Sequence, residues 1–164
     1  MLILEEYNNV INNNYIFIDY DPEGYNEDFE DEYGIDEYEA ADIAEKIAKN
    51  GGINILSDKE LRGLLIDKNN NQIIGGLWIN NDMNDFSFDI AIKKEYQNKG
   101  LSKILIDNAL EYYKMYNEMY SEVNHGDLPM RVDVVNPKLV NILQQKYNFK
   151  IIDKYPPNHI IMSI

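Results

Sequence analysis

The stretch FSFDIAIKKEYQNKGLSKILI, residues 86–106, constrains this chain more than any other. Its first seven residues alternate in character. Phe86, Phe88, Ile90 and Ile92 share one face; Ser87, Asp89 and Ala91 share the other, which is the period of a β-strand. From Leu101 the period changes: Leu101, Leu105, Ala109, Tyr112, Tyr116 and Tyr120 recur at helical spacing and predict a long helix to about Tyr120. Between strand and helix lies a short loop ending in Gly100. The first N–H groups of a helix have no internal partner and carry partial positive charge. A glycine beside them lets an anion approach the backbone closely. Lys99 and Lys103 add positive charge, so a pyrophosphate is the natural guest. By spacing alone, the same residues also fit an ordinary capped loop.

The rest of the chain supplies elements for a mixed sheet. YIFIDY (15–20) reads as a short strand, and residues 37–49 as a helix with Ala41, Ile43, Ala44, Ile47 and Ala48 on one side, ended by Gly51 and Gly52. Apolar runs 61–66 and 73–79 flank the turn signal DKNNNQ and predict a hairpin. After the loop EVNHGDLP comes a strand, MRVDVV (130–135). Asn136 and Pro137 then provide an N-cap and a first helical residue. That helix runs to about Tyr147 with Leu139, Val140, Leu143 and Tyr147 inward, and Asn148 ends it in the left-handed conformation. FKIID and HIIMSI close the chain as a strand pair. The order β–α–β–β–β–α–β–α–β–β predicts an α/β fold with a mixed sheet, in one domain of 164 residues.

Charge narrows the partners. The net charge of −14 argues against nonspecific nucleic-acid binding and favours cationic partners or small ligands. Residues 19–39 hold 11 acids and no Lys or Arg. Within them, DYDPEGYNEDFE (19–30) places Asp19, Asp21, Glu23, Glu27 and Glu30 at loop positions 1, 3, 5, 9 and 12 of a calcium-binding EF-hand, with Gly24 at the sixth. The flanks disagree with that template. YIFI before Asp19 is strand-like where a helix is required, and Asn26 stands where the loop needs an apolar residue. No metal is therefore expected. The absence of cysteine excludes disulfides and thiolate metal sites. No apolar run approaches the roughly 20 residues of a membrane span, and MLILEEYNN lacks a basic region, so a cytoplasmic protein without membrane contact is expected.

Together these segments resemble the GNAT family of acyl-CoA-dependent N-acyltransferases. The family motif Gln/Arg-x-x-Gly-x-Gly/Ala, after a strand and before a long helix, is matched by Gln97, Asn98, Lys99, Gly100, Leu101 and Ser102, with Ser102 as a different small residue at the last position. DIAIKKEY is similar to the family's fourth strand and its exit. VDVVNPKLVNILQQKYNFKII is similar to the fifth strand, the following Asn, the fourth helix and a "GF" turn written here as Asn148–Phe149. IIMSI resembles the last strand. The resemblance covers about residues 53–164, the acyl-CoA-binding core; residues 1–52 match poorly, as where members carry their acceptor-specific part. It implies a central, mostly antiparallel sheet with one splayed strand pair, flanked by helices.

It also implies a chemistry. Acetyl-CoA would be the acyl donor. The backbone of Ile90, Ala91 and Ile92 would pair with its pantetheine arm, the amides of Gln97–Ser102 would hold the pyrophosphate, with Lys103 beside them, and Asn136 would reach the cofactor. A primary amine would attack the thioester directly, with the enzyme positioning it, polarising the carbonyl and supplying a base. In many members a tyrosine of the fourth helix protonates the leaving thiolate. Counting back from Phe149 its place is Gln144; counting forward from Asn136 it is Leu143; neither is tyrosine. Tyr147, one turn on, is the nearest candidate, with another tyrosine or water as alternatives. Asp89 is the candidate base, with Asp85 beside it, each weighed against a solvated strand residue.

His125 and His159 read as surface residues and form no metal signature, and Trp78 and the tyrosines at 112, 113, 116 and 120 as packing. The acidic segment, with Tyr20, Tyr25, Tyr33 and Tyr38, would line the acceptor groove and draw in a cationic amine such as a polyamine, an aminoglycoside or a Lys-rich peptide. Its alternative is a solvated acidic stretch. Two rival functions stand beside the acetyltransferase: a catalytically weak acyl-CoA-binding or regulatory module, and an acidic protein-binding module. A homodimer stays open.

Overall fold

The computed structural model describes residues 14–21, 29–55, 58–80, 82, 84–156 and 159–164. Its strands are β1 (Tyr15–Asp19), β2 (Lys59–Asp67), β3 (Gln72–Asn80), β4 (Phe86–Ile92), β5 (Met130–Val134), β6 (Lys150–Tyr155) and β7 (His159–Ser163). Its helices are α1 (Phe29–Tyr33), α2 (Glu37–Asn50), α3 (Ser102–Asn124) and α4 (Pro137–Tyr147). A short helical turn, Lys94–Tyr96, joins β4 to the α3 loop.

The seven strands form one sheet in the order β1-β2-β3-β4-β5-β7-β6. All neighbours are antiparallel except β4 and β5. That parallel pair is joined only through Phe86↔Met130 and Ser87↔Arg131, and from Phe88 onward the two strands part. On its other side β4 stays paired to β3 as far as Gly75↔Ile92. The approach is close there: a Cβ on Gly75 would lie 2.6 Å from the Ala91 carbonyl oxygen, so only glycine fits.

Alternation in the strands builds a core on each face of the sheet. Phe86, Phe88 and Ile90 pack with Leu101, Leu105, Ile106 and Ala109 of the α3 side and with Val140 and Leu143 of α4. Ala91 and Trp78 turn the other way, onto Ala40, Ala44, Ile47 and Ala48 of α2 and Phe29 of α1. Tyr112, Tyr113, Tyr116 and Tyr120 are partly buried against the first core, as their helical spacing predicts.

The caps follow local chemistry. Asp36 accepts from the Glu39 amide at 2.8 Å and starts α2; Gly52, at φ 78°, follows its end. Asn136 accepts from the Lys138 amide at 3.0 Å with Pro137 at the first turn of α4, and Asn148 ends that helix at φ 61°.

Two expectations need correction. The helix expected to stop near Tyr120 runs to Asn124, because Ser121–Asn124 keep helical geometry until His125 turns left-handed at φ 55°. Part of the acidic stretch is not merely solvated: Phe29 is buried, its ring 5.0 Å from that of Tyr33, and Asp19 accepts a 2.8 Å hydrogen bond from Tyr112. The calcium-loop positions between Pro22 and Asp28, with Tyr25, lie outside the described residues, as does the N-terminal stretch 1–13. Among the described residues no cluster of metal-ligating side chains forms, and no helix is long and apolar enough to cross a membrane.

Candidate active site

Where β4 and β5 part, the sheet opens into a groove of about 600 Å³. Ile90, Ala91 and Ile92 form one wall, Val132–Asn136 the other, and residues of α4 close the side. A cavity of this size, part apolar and part polar, suits one small-molecule ligand. Its two ends differ in make-up.

One end is made of backbone. Asn98 and Gly100 both take left-handed conformations, at φ 64° and 77°. No neighbouring atom lies within 4 Å of where a Gly100 Cβ would stand, so it is the left-handed backbone, not crowding, that favours glycine here. None of the amides from Asn98 to Ser102 has a backbone acceptor among the described residues. Leu101 at the cap position brings no side-chain cap to α3. Free amides at a helix N-terminus are the chemistry that could hold an anion.

Side chains hold the loop rigid. The Gln97 amide donates to the Ile92 carbonyl at 2.9 Å and ties the loop to the end of β4. The Tyr96 hydroxyl donates to Asp67 at 2.9 Å, pinning the short turn to the β2–β3 hairpin. Asp67 also accepts from the Asn69 amide at 2.9 Å, which with the Tyr96 bond holds its carboxyl below the usual range. Lys138 of α4 donates to the Asn98 side chain at 3.0 Å across the groove mouth.

The other end is made of charged side chains. Lys59 donates to Asp89 at 2.7 Å, and the two side chains are 7% and 9% exposed, so this ion pair is buried. Burial pushes the Asp89 carboxyl up, with Lys59 opposing it. Asp133 of β5 sits 3.1 Å from Nδ1 of His159 on β7. Asp89, Lys59, Asp133 and His159 all line the groove.

The residues put forward from the sequence fall as follows. Ile90, Ala91, Ile92, Gln97, Asn98, Gly100, Leu101, Ser102, Asn136 and Asp89 line the groove. Lys99 does not; its ammonium lies over the Tyr96 ring, 5.0 Å from the centroid. Lys103 pairs with Asp107 at 2.5 Å on the surface of α3. Tyr147 lies away from the groove, its hydroxyl donating to Asp107 at 2.7 Å. Leu143 is fully buried and Gln144 exposed, so neither counting of the family position offers a hydroxyl. Asp85 pairs with Arg131 at 3.6 Å, outside the groove. Asp89 corrects the expectation of a solvated strand residue. None of the described residues of segment 19–39 lines the groove, so the acidic stretch does not supply its wall there. Lys59, Asp133 and His159 were not anticipated. The one local signal was His159 at the start of an apolar strand, and its partner stands 26 residues away.

A family model described as "Acetyltransferase (GNAT) family" matches residues 17–131. Among solved structures, Escherichia coli ElaA aligns over 91% of this chain and 97% of its own, with 10% identity and a TM-score of 0.54. The ribosomal-protein-S18-alanine N-acetyltransferase from Escherichia coli aligns over 92% of each chain, with 14% identity and a TM-score of 0.52. The ribosomal-protein-S5-alanine acetyltransferase from Vibrio fischeri aligns over 63% of this chain and 61% of its own, with 20% identity and a TM-score of 0.48. No curated protein sequence matches the chain.

Proposed function

Because the chain belongs to the GNAT family of acetyltransferases, we propose that it moves the acetyl group of acetyl-CoA to a primary amine, and that the acceptor binds as a cation. The observation that carries this reading is the groove itself, which joins an anion cradle to a parted strand edge and a charged pocket.

The residues fit the donor. The amides of Asn98–Ser102 would hold the pyrophosphate, because they lack backbone acceptors among the described residues and sit at a helix start without a side-chain cap. Gly100 keeps that approach clear. The β4 edge at Ile90–Ile92 has no strand on the β5 side and would pair with the pantetheine amides. Asn136 lies where the groove meets α4, and Lys138 steadies the cradle through Asn98.

At the far end Asp89 and Asp133 set a negative potential that favours an ammonium, with Lys59 offsetting Asp89 in part. The amine attacks the thioester carbonyl carbon, and the C–S bond breaks as the C–N bond forms. Catalysis rests on holding the two reactants in line in the groove. The only tyrosine along the groove, among the described residues, is Tyr96, and its hydroxyl is committed to Asp67. The leaving sulfur therefore takes its proton from water, which a thiolate tolerates well. The protein needs no metal for this chemistry.

The test is release of free CoA from acetyl-CoA with a panel of amines: spermidine, kanamycin, a lysine peptide and a peptide with a free N-terminal alanine. Turnover with at least one cationic amine is expected. Tight acetyl-CoA binding without turnover on any amine would instead support an acyl-CoA-binding module.

A further inference from the structure

We propose that His159, oriented by Asp133, is the general base that takes the proton from the acceptor amine. This rests on the acetyl-transfer reading and deepens it by naming the proton acceptor. His159 stands at the start of β7, and β7 pairs with β5 through Asp133↔Ile161 and Val134↔Ile160. That register sets the imidazole diagonally opposite Asp133, with Nδ1 3.2 and 3.1 Å from the two carboxylate oxygens. In the neutral ring, Nδ1–H donating to Asp133 leaves Nε2 as the ring's acceptor, and Nε2 has no partner among the described residues. Both residues line the groove at its charged end. A base must be partly open to its substrate, and these side chains are 51% and 49% exposed. The arrangement is a base held by a carboxylate, ready to stabilise the imidazolium that forms.

Asp89 is the competing base, and its surroundings argue against it. Its Oδ2 already accepts from Lys59 at 2.7 Å. A proton arriving there would leave the Lys59 ammonium buried and unpaired, which is costly. A proton arriving on His159 gains attraction to Asp133. The titratable groups beside the ring are Asp133 on β5 and, across from β7, Tyr155 and Asp153 on β6; Lys59 and Asp89 line the same groove.

The step balances. The bound ammonium gives one proton to Nε2, and the nitrogen lone pair forms the C–N bond to the acetyl carbon. The C–S electron pair leaves with sulfur. The nitrogen sheds a second proton as the amide forms. Sulfur takes up one proton, so one net proton reaches solvent.

The experiment compares wild type, His159→Gln and Asp133→Asn with the amine the wild type acetylates fastest, over a pH series, beside acetyl-CoA calorimetry on each protein. In the wild type, kcat/KM should level off while the acceptor amine is still mostly protonated. In His159→Gln it should fall about hundredfold and keep climbing, about tenfold per pH unit, because only amine already neutral can react. Asp133→Asn should fall less and keep the levelling. Acetyl-CoA affinity should stay the same in all three. With only two histidines in the chain, nitrogen NMR should find the neutral His159 ring protonated on Nδ1. A His159→Gln rate and pH profile equal to wild type overturns the base alone. So does a neutral ring protonated on Nε2. Acetyl-CoA binding without acetylation of any amine overturns the base together with the reading beneath it, and no binding overturns the donor site first.

Discussion

The two ends of this groove are built from different materials. At the α3 end the working groups are main-chain amides, and side chains such as Gln97 and Tyr96 only hold the loop in shape. At the other end the working groups are side chains, Asp89, Lys59, Asp133 and His159, brought by four different strands. A backbone site tolerates many sequences, provided glycine stands where φ must be positive. A side-chain site is specific, and it carries the cost of buried charge. On the proposed reading the donor, which is common chemistry, would fall to the first. The acceptor, which distinguishes one enzyme from another, would fall to the second.

The largest effect should come from breaking the side-chain end. Lys59→Met leaves the Asp89 carboxylate buried without its cation, at a cost of roughly 3–5 kcal/mol. Burial already raises the Asp89 carboxyl, and the variant raises it further. The folded variant then binds a proton that the unfolded chain does not hold, so its stability should rise as pH falls through that window. Urea unfolding at two pH values reads the effect. Lys59→Met with Asp89→Leu should recover most of the loss, and acetyl-CoA affinity should stay within about twofold of wild type. A large loss of that affinity would show that the ends are not separate.

Asn136→Ala removes the α4 cap and should cost about 1 kcal/mol in thermal unfolding. The acceptor KM should change little, since the Asn136 side-chain oxygen is committed to the Lys138 amide.

Tyr96→Phe probes the backbone end. Losing the bond to Asp67 should cost about 0.5–1.5 kcal/mol. Without that donor the Asp67 carboxyl moves back toward its ordinary value. Asp67 is lowered in the fold, so its stabilisation is present above the unfolded value and lost as pH falls through the folded one. The variant should therefore lose less stability than wild type on acidification. Its acetyl-CoA affinity should weaken a few-fold while the acceptor KM stays in place.

The same division explains what could be read from the sequence. The strand at 86–92, the glycine at 100 and the helix beyond lie within one window, and local period and turn chemistry determine them. Asn136, Pro137 and Asn148 are likewise legible because a cap acts on its own neighbours. The pairs Lys59–Asp89 and Asp133–His159 join residues 30 and 26 positions apart. No periodicity encodes such a pair; it exists only once the strand register is set. Asp89 was chosen for its type and its strand, and its burial against Lys59 was not legible. Tyr147 was chosen for nearness in sequence to the family's tyrosine position, and one helical turn turned its hydroxyl to Asp107. The helix α1, five residues long, carries too little period to be seen.

The central claim is that the uncapped start of α3 holds the donor's pyrophosphate. Calorimetric titration of acetyl-CoA into the wild type and into Gly100→Glu tests it most directly, with circular dichroism to show that both are folded. Micromolar binding by the wild type, lost in Gly100→Glu, is the result predicted. Equal binding by both folded proteins, or none by the folded wild type, would contradict it.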